Sequence, residues 1–167
     1  MQTTAGTFLA LLMLFGATQI FVSGQENETV GFPVSSGRSG NSIEGVWQTT
    51  VTLRNCQTGD VIRIFRGLTT FHEGGTISES SAALSPALRS LGHGVWEKES
   101  RTTYSGSFIF QRFNPDGTFA GTQKTTVTNV IGRSGNTYDS TASIQVFDAN
   151  NNLLGTGCAT AIGTRFE

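Results

Sequence analysis

Two stretches of this chain set aromatic rings in line with an arginine. Phe108, Phe110 and Arg112 alternate along one run and Arg63, Phe65 and Phe71 along another, so each set shares a face if its run is extended. Tyr138 heads the apolar face of a third run. Rings that end in a guanidinium suit a molecule with an apolar body and an anionic head. Arg63, Phe65, Phe71, Phe108, Phe110, Arg112 and Tyr138 are therefore the candidate ligand-binding residues.

Other reactive side chains are few. His72 and His93 are the only histidines, and with no third ligand at metal spacing they define no metal site. Surface turns account for both. Glu97 and Glu99 share a face with Val95 and Arg101 around Lys98, the pattern of a solvated surface. No Gly-x-Ser-x-Gly elbow or other nucleophile motif occurs, so no catalytic residue and no cofactor are assigned. The net charge of -1 excludes the basic footprint that nucleic acid requires.

The elements that must position these residues are strands. The chain carries 21 Gly but only 3 Pro, and its Thr-, Val- and Phe-rich runs favour pleated over helical structure. Eight such runs follow residue 43: 44–55, 61–72, 76–82, 93–101, 103–113, 118–130, 137–148 and 153–166. Turn residues part most of them, Asn114-Pro115-Asp116-Gly117 most plainly. The connection 83–92 is the only long one, and a helical turn at Pro86-Ala87-Leu88 is expected there, capped by Ser85. Even spacing with hairpin-length turns predicts an all-β antiparallel meander, closed as an eight-stranded up-and-down barrel.

Alternation sets the faces. Trp47, Thr49, Val51 and Leu53 point one way on the first strand, and Tyr138, Ser140, Ala142, Ile144 and Val146 on the seventh. On the last strand one face is almost all small: Gly155, Gly157, Ala159, Ala161 and Gly163, before Arg165. Small inward side chains leave room for a neighbour's bulk or for a cavity. The two cysteines, Cys56 and Cys158, are expected to join as a disulfide, the alternative being two buried thiols. A direct Cys56–Cys158 pairing sets Val51 opposite Gly163 and Thr49 opposite Arg165, with Trp47 and Arg165 diagonal on one face.

Residues 1–24 read as a signal peptide from the apolar run Phe8 to Val22 followed by Ser23-Gly24, against which stands the absence of Lys or Arg in residues 1–7; an uncleaved anchor is the alternative. A run of about 15 residues is too short for a stable membrane span, which needs about 20. Residues 25–43 form a polar flexible leader with a sequon at Asn27, and residues 44–167 the barrel domain. The expected location is secreted or periplasmic.

Gly45-Val46-Trp47 opening the first strand, with Arg165 on the last, resembles the lipocalin and wider calycin pattern. That resemblance implies an eight-stranded barrel for small apolar molecules, with Trp47 and Arg165 closing one end by cation–π stacking. In strand count and short C-terminus the domain is also similar to allene oxide cyclase-like barrels, and as a whole it resembles secreted bacterial proteins of unassigned activity. Three functions stand side by side: a binding barrel for an apolar or amphipathic molecule, a cyclase or isomerase working through a shaped apolar cavity, and a packed structural barrel without ligand. A binding role is preferred to an enzymatic one.

Overall fold

A computed structural model describes residues 42–166. The signal segment and the leader as far as residue 41, with its sequon, lie outside the described residues. The strands are β1 (Gly45–Arg54), β2 (Val61–His72), β3 (Thr76–Ser81), β4 (Gly92–Lys98), β5 (Thr103–Phe113), β6 (Phe119–Ile131), β7 (Thr137–Phe147) and β8 (Leu153–Arg165). Each pairs antiparallel with its sequence neighbours, and β8 returns to β1, closing an up-and-down barrel without edges.

Local chemistry explains the connections. Between β6 and β7, Gly135 takes a φ of 74°, a left-handed value that costs glycine nothing. Between β4 and β5 lies a tight turn, in which the Glu99 amide donates to the Thr103 carbonyl at 3.0 Å. The long connection holds a single 3-10 turn, Pro86–Leu88, whose Ser85 cap accepts from the Ala87 amide at 3.4 Å.

The disulfide Cys56–Cys158 is present, with Cα atoms 5.3 Å apart. The register differs from the one in which the cysteines face each other. Arg54 is the partner of Cys158, Thr49 of Gly163 and Trp47 of Arg165, a slip of two residues. The reason is that β1 ends at Arg54, after a register irregularity at Leu53/Arg54 in its pairing with β2. Cys56 therefore reaches its partner from the turn rather than from a rung. A slip of two preserves every side chain's face, because strands repeat every two residues.

One end of the barrel is solid. Ile43, Trp47, Phe71, Ile77, Tyr104, Ile131 and Tyr138 form a buried cluster with Trp96 packed against it. Its rings meet edge to face: Trp47–Tyr138 at 4.9 Å, Trp96–Tyr104 at 5.7 Å and Phe71–Tyr138 at 6.1 Å. Such pairs add about 0.5–1.5 kcal/mol each beyond burial. Ile43, read from the sequence as the end of the leader, is fully buried in this floor.

Candidate functional site

Above the floor the barrel is not filled. A cavity of about 430 Å³ occupies its axis, within the range of small-molecule sites. The inward face of β8 makes the room, with Gly157, Ala159 and Ala161 lining the void. Further down the strand, Gly163 accommodates the Tyr138 ring instead.

The wall changes character with depth. Just above the floor it is polar, with buried Thr49, Asn129 and Ser140. The pairing of Asn129 with both Tyr104 and Ser140 fixes this level. The middle is apolar: Val51, Phe65, Phe108, Phe110, Val127 and Ile144. Near the mouth it turns cationic, with Arg63 and Arg112 on β2 and β5 and Arg89 from the long connection.

The three arginines are held differently. Arg89 is buried, its guanidinium carbon 3.8 Å from the Phe110 ring centre, and it donates to Ser81 Oγ at 2.6 Å and Glu79 Oε2 at 2.5 Å. Its charge is therefore matched within the wall. Arg63 is exposed and donates to the Ala83 carbonyl at 2.8 Å, tying β2 to the long connection beside the mouth. Arg112 is half-buried, and its Nη1 is buried without a hydrogen-bond partner. Among the described residues, one other buried side-chain polar atom shares that condition: Nδ2 of Asn129.

All seven residues chosen from alternation lie on the wall of this one cavity. Phe71 and Tyr138 belong at the same time to the floor. Glu79, Arg89, Thr49, Thr125, Asn129 and Ser140 line the same wall outside that aromatic–arginine pattern. The polar ones on β1, β3, β6 and β7 carry a readable signal, since they fall on the inward face of their strands. Arg89 carries none, because a connection has no periodicity.

Trp47 and Arg165 lie beneath the cavity. The Arg165 guanidinium carbon stands 4.2 Å from the Trp47 ring centre. Its nitrogens donate to the carbonyls of Ser42, Glu44 and Gly135 at 2.6–3.1 Å. Trp47 Nε1 donates to the Ile43 carbonyl at 2.7 Å. His72 and His93 are exposed, with His72 Nε2 2.9 Å from Ser78 Oγ. Glu97 and Glu99 are exposed around the Ser105 hydroxyl, which donates to Glu99 at 2.5 Å. Among the described residues, no three His, Cys, Asp or Glu side chains gather as a metal site. No helix among them is long and apolar enough to cross a membrane.

The closed eight-stranded barrel is consistent with a calycin-like fold. No known protein family and no curated protein matches the chain by sequence.

Proposed function

We propose that this chain is an exported binding barrel that takes one small amphipathic molecule, apolar body inward and anionic head toward the mouth. The observation that carries this reading is Arg112 Nη1, a buried cationic donor without a partner on the wall of an otherwise largely apolar cavity. A buried donor left unmatched is costly, and an anionic oxygen would satisfy it with a charge-assisted bond. Arg89 is matched by Glu79, and Arg63 is exposed and bonded to the Ala83 carbonyl, which leaves Arg112 as the buried guanidinium for that task. A cavity of about 430 Å³ also argues against a barrel packed solid by its own side chains. Export is supported by the Cys56–Cys158 disulfide, a bond of oxidising compartments, and by the apolar run from Phe8 to Val22.

The test is displacement of a fluorescent anionic amphiphile by dodecanoate, dodecanol and dodecyltrimethylammonium, beside native mass spectrometry of the purified protein. Dodecanoate is expected to compete best, and Arg112→Gln to weaken it by roughly ten- to hundredfold. Equal competition by the cationic amphiphile, or none by any of the three, would overturn the reading.

A further inference from the structure

We propose that the molecule held in this barrel is polar at both ends, its inner end carrying an oxygen that accepts a hydrogen bond from Asn129. This deepens the proposed binding function and rests on it. Asn129 is 2% exposed, lines the cavity and leaves its Nδ2 without a partner. An amide shut away from water in that state costs a hydrogen bond, so native proteins rarely keep one without use. A leucine would suit a merely structural inward position as well or better.

The surroundings of Asn129 are polar too. Ser140 stands beside it as its cross-strand partner, and Thr49 lies on the same cavity wall, all three buried. They lie directly above an aromatic floor and below a ring-lined wall. Hydroxyls and an amide at that depth match no need of the apolar ligand body. The second orphaned donor, Arg112 Nη1, belongs to the other end of the same void. On β6 the wall residue nearest the mouth is Gln123, six residues before Asn129. That is roughly 20 Å of strand, or about 15 Å along the axis of a barrel with ordinary tilt. At roughly 30 Å³ per water-sized group, the void holds on the order of 15 non-hydrogen atoms. An elongated acid with a terminal hydroxyl or carbonyl fits both the size and the two donors.

The sign of the effect is diagnostic. A terminal hydroxyl costs free energy to remove from water, so a purely apolar interior would prefer dodecanoate to ω-hydroxydodecanoate. Calorimetric titration of the wild-type protein with each acid is expected to show the reverse, with the hydroxy acid bound at least about tenfold more tightly. Asn129→Leu should abolish or invert that preference while retaining dodecanoate binding. An amide-resolved NMR titration gives a reading on the unmodified protein. The Asn129 side-chain NH₂ signals should move with the hydroxy acid and stay largely in place with dodecanoate. Failure of both acids to bind the wild type overturns the parent reading and this one with it. Binding of both with dodecanoate equal or preferred, or an unmoved Asn129 amide, overturns this inference alone.

Discussion

Arg165 is the direct cross-strand partner of Trp47, and its guanidinium covers the indole while bonding three backbone carbonyls below it. Those carbonyls belong to Ser42 and Glu44, before β1, and to Gly135, in the β6–β7 turn. One side chain thereby ties the entering chain, a hairpin turn and the barrel seam together. Arg165→Ala is expected to lower unfolding free energy by roughly 3 kcal/mol, from charged hydrogen bonds and cation–π contact together. Arg165→Lys should recover less than half of it, because an ammonium lacks the planar fork. Urea unfolding measures both, and a loss under about 1 kcal/mol for the alanine variant would refute the clamp.

Cys56 and Cys158 are 102 residues apart in sequence. Crosslinking a loop of that size is expected to contribute about 3–5 kcal/mol, chiefly by restricting the unfolded chain. The double variant Cys56→Ser, Cys158→Ser should show that loss in denaturant while retaining the closed barrel, since β1–β8 pairing does not depend on the sulfurs. Unchanged stability would mean that the seam alone constrains the chain.

Two glycines on one strand separate packing from strand propensity. A methyl added at Gly163 meets the Tyr138 ring, with Cδ1 at 2.7 Å and two further ring atoms closer. At Gly155 nothing lies within 4 Å. Gly163→Ala should cost about 1–3 kcal/mol by overpacking, whereas Gly155→Ala should stay within about 0.5 kcal/mol of the wild type. Parallel thermal melts check the contrast.

Burial pushes the Tyr138 phenol above its ordinary range; the bond with Thr69 opposes this and the Glu79 carboxylate reinforces it. The fold therefore favours the neutral phenol. Its contribution is complete below the unfolded value near about pH 10 and is lost as pH climbs toward the higher folded value. Tyr138→Phe should flatten the alkaline decline in stability measured between about pH 8 and about pH 11. An identical decline in both proteins would assign it to other groups.

The acid side rests on two turns. Asn152, through its side chain and then its backbone amide, holds the Asp148 carboxyl below its ordinary value, and Thr118 does the same for Asp116. Both carboxylates thus stabilise the fold above the unfolded Asp value of about 3.9, and that gain disappears as pH falls through their lower folded values. Carbon-detected NMR titration should place both midpoints below the ordinary Asp range. A midpoint at or above it would contradict the turn geometry.

Local pattern in the sequence reached far in this protein. Period-two alternation put Trp47, Phe65, Phe110 and Tyr138 on inward faces without any knowledge of partners, because a strand's own pleat decides its faces. Turn chemistry marked most strand ends, and Ser85-Pro86 marked the 3-10 turn of the long connection. Closure was legible as well, in eight evenly spaced strands with hairpin-length turns and in two cysteines placed at the end of the first strand and on the last. Other features depended on distances between strands. The two-residue slip at the seam arose where β1 stops, before Cys56, and neither cysteine records that in its own neighbourhood. The emptiness of the axis is a difference between the volume eight strands enclose and the volume their inward side chains fill, which no single strand reveals. Arg89 reaches the wall from an aperiodic connection, and its charge is matched only because Glu79 arrives from β3. Asn129 and Arg112 became a pair of unmatched donors once the barrel closed around them. A strand can announce which way a side chain points, but whether that side chain meets a partner is decided by the other strands.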